Sequence, residues 1–120
     1  MRASIRSLCL ALALTAGLVG VLAACTGQPD RSASEPPVVG AHDITAKDLQ
    51  FSPTAVQVPR GTTVVWRFDD GAVSHDVKAD GFSSPIQKQG SFSHRFDQTG
   101  TFEYHCSLHA NMTGRVVVTD

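Results

Sequence analysis

Residues 101–119 read Thr-Phe-Glu-Tyr-His-Cys-Ser-Leu-His-Ala-Asn-Met-Thr-Gly-Arg-Val-Val-Val-Thr. Phe102, Tyr104 and Cys106 alternate with polar side chains, which is the pattern of a strand with one buried face. The run at 115–119 is rich in valine and predicts a second strand at the end of the chain. The short connection between these two strands carries side chains that can bind a metal.

Three of these side chains, Cys106, His109 and Met112, have the spacing Cys-x2-His-x2-Met. A thiolate, an imidazole and a thioether are a poor acid and base set, but they suit copper, because sulfur ligands favour Cu(I) and imidazole also binds Cu(II). His75, in the distant segment 71–77, can supply a second imidazole. Two imidazoles, one thiolate and a weakly bound Met are the ligands of a blue-copper centre, so these residues predict an electron carrier.

Short segments with a period of two residues continue through the chain after Val38 and are separated by Gly, Pro and Asp. No long segment keeps the helical period of about 3.6 residues. In so short a chain this pattern predicts an all-β fold, a Greek-key sandwich or barrel of about seven to eight strands. Besides the two strands above, the predicted strands are 41–50, 55–58, 62–68, 73–79 and 91–96.

The same alternation predicts where the candidate ligands lie. His75 and Cys106 both fall on the apolar face of their segments, so we expect them to point into the sandwich at strand ends. His109 and Met112 lie in the loop 107–114, which must fold back over the metal before the last strand begins. All four donors are therefore expected at one end of the sandwich.

Residues 1–24 have the features of an export signal. Two arginines form a positive start, and residues 8–22 are an apolar run of signal-peptide length. This run is marginal for a transmembrane anchor, which needs about 18 to 20 consecutive apolar residues. The motif Leu-Ala-Ala-Cys at 22–25 resembles the lipobox of bacterial lipoproteins, in which the Cys is lipidated and becomes the first mature residue. We therefore expect lipid on Cys25.

These features divide the chain into three parts. Residues 1–24 are the predicted lipoprotein signal peptide, and residues 25–37 are the lipidated Cys and a flexible tether rich in Pro and Ser. Residues 38–120 form one domain, since this length is too small for two. The protein is expected outside the cytoplasm, held by lipid at the outer face of the bacterial cell membrane or in the periplasm.

The charge balance excludes one class of partner. The chain has 10 basic and 11 acidic residues, and loss of Arg2 and Arg6 with the signal peptide leaves eight basic residues against the same 11 acidic ones. Nucleic acid binding needs a basic stripe, so this mild negative charge argues against it.

The three cysteines narrow the function further. Cys9 is removed with the signal peptide and Cys25 takes the lipid, which leaves Cys106 without a disulfide partner. A free reactive thiol is a liability in an oxidising compartment, and metal ligation explains its presence. The alternative is a buried Cys that acts as a small hydrophobic residue, but the neighbouring His109 and Met112 favour ligation.

Taken together, the segment 104–112 followed by Gly114-Arg-Val-Val-Val, with Gly-Ala-Val-Ser-His-Asp-Val upstream at 71–77, resembles the cupredoxins of the plastocyanin and amicyanin group. The spacing between Cys and Met is similar to that of amicyanin. The resemblance implies one mononuclear copper ion with three equatorial ligands and one axial ligand. By position these are His75, Cys106 and His109 in the plane and Met112 on the axis.

The resemblance also implies a role and partners. Cupredoxins of this group are electron carriers and not enzymes, so we expect this protein to exchange electrons with a cytochrome, an oxidase or a reductase, and to be a monomer. One departure stands next to the first ligand, where many relatives have Asn and this chain has Asp76. If Asp76 keeps the same bridge as an acceptor, it needs a donor such as a backbone N–H or Ser107.

Other readings of the same residues stay open. The donors also suit a module that stores or delivers copper, and they could hold Zn(II). A thiol enzyme built on Cys106 and His109 would give Met112 no role, and a metal-free adhesion domain would make the constellation a coincidence. The remaining histidines have weaker claims to a metal: His105 is expected on the outer face, His94 in the partly buried core and His42 in solvent.

Overall fold

The computed structural model describes residues 35–120. The proposed signal peptide, the lipidation site at Cys25 and most of the proposed tether lie outside the described residues. Residues 35–120 contain no helix long and apolar enough to cross a membrane. The strands in this part of the chain are β1 (Val38–Val39), β2 (Asp43–Lys47), β3 (Gln50–Ser52), β4 (Ala55–Pro59), β5 (Thr62–Asp69), β6 (Lys78–Ala79), β7 (Phe82–Ser83), β8 (Gln89–Phe96), β9 (Gly100–His105) and β10 (Thr113–Thr119).

These strands form two sheets with a shared core. The six-stranded sheet has the order β1-β4-β10-β9-β6-β7, and the four-stranded sheet has the order β3-β2-β5-β8. The chain passes from one sheet to the other repeatedly, as Greek-key sandwiches do. The all-β sandwich predicted from the sequence is confirmed. The described strands outnumber the predicted ones because β1, β6 and β7 have two residues each, too few to show an alternating pattern.

The core lies between the sheets and follows the alternation of the strands. In β5, Val64, Trp66 and Phe68 are buried, whereas the residues between and beside them are at least partly exposed. The ring of Trp66 meets the ring of Tyr104 edge-on with centroids 5.3 Å apart. Truncating a buried aromatic residue to Ala typically costs about 3–5 kcal/mol, so this contact is a strong link between β5 in one sheet and β9 in the other.

The Tyr104 side chain lies against the backbone of Gly114, next to the loop that joins β9 and β10. Gly114 pairs with Tyr104 across these two strands. A Cβ atom on Gly114 would overlap the hydroxyl and ring of Tyr104. Gly114 is therefore required by packing, because its missing side chain leaves room for the Tyr104 ring.

The prediction of one strand over 73–79 was wrong for most of that segment. Only Lys78–Ala79 is a strand, and His75 makes a single isolated bridge to Gln87. Val77 and Ser84 are joined instead by two bonds, in which each backbone N–H donates to the other residue at 2.8 Å. The segment bonds to the loop after β7 rather than to a continuous neighbouring strand.

Candidate metal centre

Three potential ligands converge at one end of the sandwich. Cys106 directly follows β9, His109 lies in the loop between β9 and β10, and His75 lies in the segment between β5 and β6. One ligand atom of each residue lies within 4.8 Å of the others. His75 is 0% exposed and Cys106 is 4% exposed, which confirms the prediction that both point inward.

The donor atoms have the spacing of ligands to one ion. Cys106 Sγ is 3.9 Å from His75 Nδ1 and 3.5 Å from His109 Nδ1. A nitrogen and a sulfur bound at about 2.0–2.3 Å to one trigonal or tetrahedral ion lie about 3.6–3.8 Å apart. The three side chains therefore fit a single mononuclear metal ion with little movement.

A tight turn brings the fourth candidate back towards these three. The backbone N–H of Met112 donates to His109 O at 3.4 Å, and the N–H of Cys106 donates to Met112 O at 2.9 Å. Asn111 occupies the third position of this turn with a φ of 65°, a left-handed conformation that Asn tolerates better than most residues. Met112 is 1% exposed, so its thioether is enclosed at the same end of the core.

The site is closed on most sides and open on one. His75, Cys106 and Met112 are buried, whereas His109 is only half-buried. Side chains that exclude water lower the local dielectric and hold the donors in fixed positions. His109 is therefore the candidate ligand that links the interior of the site to the surface.

A carboxylate forms a hydrogen bond with the ring nitrogen of His75 that is not directed towards Cys106. His75 Nε2 lies 2.7 Å from Asp70 Oδ2. This hydrogen bond holds the pKa of Asp70 below its ordinary value. An ionised carboxylate only accepts, so Nε2 carries the proton and donates, and Nδ1 presents a lone pair towards Cys106. Asp70 was not predicted from the sequence, because Asp-Asp-Gly at 69–71 has the composition of an ordinary turn.

A second carboxylate bridges the two segments that carry ligands. Asp76 Oδ1 accepts the backbone N–H of Ser107 at 2.7 Å, and Oδ2 accepts its hydroxyl at 2.6 Å. Burial raises the pKa of Asp76, but the hydrogen bonds from Ser107 and Cys106 and the charge of Lys78 together outweigh burial, and the net pKa is lowered. This confirms the expectation that Asp76 acts as an acceptor towards Ser107. The bridge ties the residue after His75 to the residue after Cys106.

The other histidines lie away from the donor cluster. His105 is exposed at the end of β9, and His42 is exposed before β2, as expected. His94 is half-buried and stacks on Phe82 with ring centroids 4.2 Å apart. His94 is therefore part of an aromatic cluster at the edge of the core.

The site and fold together define a class of protein. Two imidazoles and one thiol within bonding reach of one ion, with a thioether in the adjoining loop, are the donors of a mononuclear type 1 copper site. The scaffold is a small β-sandwich that holds these donors at one end. These features define a blue-copper protein.

Comparison with known proteins gives the same class. The Cupredoxin-like domain family matches residues 14–118. Amicyanin from Paracoccus denitrificans is 30% identical in an alignment of 125 positions that covers 95% of this chain and 95% of amicyanin. A purple cupredoxin from Nitrosopumilus maritimus superposes with a TM-score of 0.60 and 29% identity, over 66% of this chain and 100% of that one. A reduced Cu(I) form of an amicyanin variant superposes with a TM-score of 0.61 and 27% identity, over 73% of this chain and 89% of that one.

The chain belongs to the cupredoxin family and to its plastocyanin and amicyanin group. The predicted resemblance is thus confirmed, as is the prediction of one copper ion as the cofactor.

Proposed function

We propose that this protein is a mononuclear blue-copper electron carrier in which His75, Cys106 and His109 are the equatorial ligands and Met112 is the axial ligand. The observation that carries the proposal is the convergence of two Nδ1 atoms on the buried sulfur of Cys106, all within 4.8 Å. When bound there, copper supplies a reversible one-electron couple between Cu(I) and Cu(II).

The protein's contribution is to keep its donors fixed while the electron moves. His75 is held by Asp70, and the loop after Cys106 is held by the two bonds between Asp76 and Ser107. Ligands that are already in place need little rearrangement on a change of valence. The burial of the thiol also keeps water and dissolved oxidants away from the sulfur.

Electrons would enter and leave through His109, the half-buried member of the set. Three large exposed apolar residues lie next to the segments that carry or bridge the candidate ligands: Val73 is 36% exposed, Ile86 is 59% exposed and Leu108 is 45% exposed. Val73 is two residues from His75, Ile86 precedes the residue bridged to His75, and Leu108 precedes His109. We assign this apolar face to brief docking of a redox protein, since such encounters use small interfaces.

The proposed location follows from the N-terminal sequence. Export and lipidation at Cys25 would anchor the carrier to the outer face of the cell membrane, and two or more acyl chains give stable anchoring. The segment 26–37 reaches at most about 40 Å when extended, enough for the domain to turn its apolar face towards different partners. Its partners would then be a cytochrome, an oxidase or a reductase at that surface.

Cyclic voltammetry of the copper-loaded protein, with a Cu(I) chelator present, tests electron transfer against copper storage or delivery. An electron carrier gives a reversible wave whose height is unchanged over many cycles, because copper stays bound in both valences. A delivery protein loses its wave as the chelator takes Cu(I) from the reduced form. Progressive loss of copper on reduction would therefore overturn the proposal and favour delivery.

A further inference from the structure

The turn between β2 and β3 has an unusual conformation for its sequence. Two residues, Asp48 and Leu49, join the strands, and their φ angles are 52° and 58°. Two-residue turns of this kind favour Asn-Gly, because a side chain is strained in the left-handed region. Leu49 is also 50% exposed, so burial does not hold it there. The strain calls for a compensating contact.

The turn contacts the carboxylate behind the metal site. The backbone N–H of Leu49 lies 3.5 Å from Asp70 Oδ2. The same oxygen accepts from His75 Nε2 at 2.7 Å. The side chain of Asp70 is 13% exposed, so most of it is screened from solvent. Asp70 therefore joins a strained turn in one strand pair to a buried histidine that lies in a different segment.

This contact fixes the chemical form of the histidine. A neutral imidazole has one N–H and one lone pair, and the hydrogen bond made by one nitrogen decides which it is. Because Asp70 accepts a hydrogen bond from the proton on Nε2, the lone pair must be on Nδ1, the nitrogen that lies 3.9 Å from Cys106 Sγ. The other tautomer would place a proton where a metal has to bind.

We propose that Asp70 is a positioning residue that sets the tautomer and orientation of His75 before any metal arrives, and that the strained turn at Asp48 and Leu49 keeps Asp70 in place. The metal-free protein then presents a preformed site. The role of Asp70 towards copper rests on the proposed ligation by His75, but the tautomer itself is a property of the metal-free protein. The two ideas can therefore fail separately.

Long-range proton–nitrogen correlation spectra of His75 in the metal-free, 15N-labelled protein test the proposal directly. The expected wild-type spectrum has a protonated Nε2 and an unprotonated Nδ1. Asp70→Ala should give a mixture of both tautomers and shift the amide proton of Leu49 upfield. Asp70→Asn keeps an acceptor oxygen and should retain the wild-type tautomer of His75. The tautomer of this second variant can be measured even if Asp70→Ala folds poorly.

The neighbouring Asp69 offers a matched control, because it is exposed at the end of β5 and bears the same charge. Asp69→Asn should leave both the His75 tautomer and the Leu49 amide unchanged. In a separate measurement, Asp70→Ala should lower copper affinity about 10- to 100-fold, as loss of a residue that orients a ligand typically does, and Asp69→Asn should not.

Two results would overturn the proposal. A protonated Nδ1 in the metal-free wild type would show that Asp70 does not set the tautomer. A wild-type tautomer in Asp70→Ala would show that packing alone fixes the ring. A double variant, Asp48→Asn with Leu49→Gly, supplies the pair favoured in this turn and keeps the N–H. This variant should retain the wild-type tautomer of His75 and have a higher free energy of unfolding. A changed tautomer would contradict the claim that the turn holds Asp70 through its backbone N–H.

Discussion

Asp76 holds Ser107 by both oxygens of its carboxylate, at 2.7 Å to the backbone N–H and 2.6 Å to the hydroxyl. Asp76 is 1% exposed and follows His75, while Ser107 follows Cys106. Its lowered pKa means that this buried group is ionised at neutral pH. A fixed negative charge thus lies beside two candidate ligands, where the family often has a neutral Asn.

Replacing that charge should raise the reduction potential. Asp76→Asn keeps an oxygen for the N–H of Ser107 and an amide that can donate to its hydroxyl, so mainly the charge is lost. A unit charge about 8 Å away contributes about 2 kcal/mol at an effective dielectric of about 20, or about 90 mV for one electron. Potentiometric titration measures the shift, with exposed Asp80→Asn as the control. An unchanged or lower potential in Asp76→Asn would contradict the role of the charge.

Removing the hydroxyl partner should destabilise the metal-free domain. Ser107→Ala leaves one oxygen of the buried Asp76 carboxylate without its donor, and an unsatisfied buried polar group typically costs about 1–3 kcal/mol. Urea unfolding measures the free energy, and Ser91→Ala on the exposed face of β8 is the matched control. Equal stability of the two variants would mean that water replaces the hydroxyl.

A methyl group at position 114 should disrupt the support of the ligand loop. Gly114→Ala places a Cβ against the Tyr104 hydroxyl and ring, which are enclosed by Trp66 and Phe51. Overpacking of this kind typically costs about 1–3 kcal/mol. Thermal unfolding of the metal-free variant measures the loss. Stability within about 0.5 kcal/mol of wild type would show that the Tyr104 ring can move aside.

The apolar face around His109 should control the rate of electron exchange with a protein partner. Leu108→Ser removes apolar surface next to this ligand without touching a donor atom, so it should slow the second-order rate several-fold and leave the potential unchanged. Stopped-flow kinetics with a purified cytochrome measures the rate. Val39→Ser is the control, because Val39 is 75% exposed in β1, an edge strand that β4 separates from β10. Equal rates in the two variants would place docking elsewhere.

Much of the fold was predictable because the pattern is local. The alternation of Val64, Trp66 and Phe68 predicted a strand with one buried face, and β5 has that pattern. The spacing of Cys106, His109 and Met112 predicted a loop folded back on itself, which the bond between the Cys106 N–H and Met112 O closes. These features depend on residues close together in sequence.

The rest depended on contacts between distant segments. The alternation over 73–79 suggested a strand, but Val77 bonds to Ser84 and His75 bridges Gln87 in a loop that has no strong pattern. Asp70 was missed because Asp-Asp-Gly has the composition of an ordinary turn, and no sequence pattern indicates its contact with Leu49, which lies 21 positions earlier in the chain. Sequence alone identifies the donors more readily than the residues that hold them.

The central claim is that Cys106 ligates copper as a thiolate, and a Cu(II) titration followed by visible absorption tests it most directly. One equivalent of Cu(II) should produce an intense blue charge-transfer band in the wild type and in Cys25→Ser, which removes the other cysteine of the predicted mature chain. The band should be absent in Cys106→Ser and persist, with a shift, in Met112→Leu. A band that survives Cys106→Ser, or a wild type that binds copper without one, would contradict the claim.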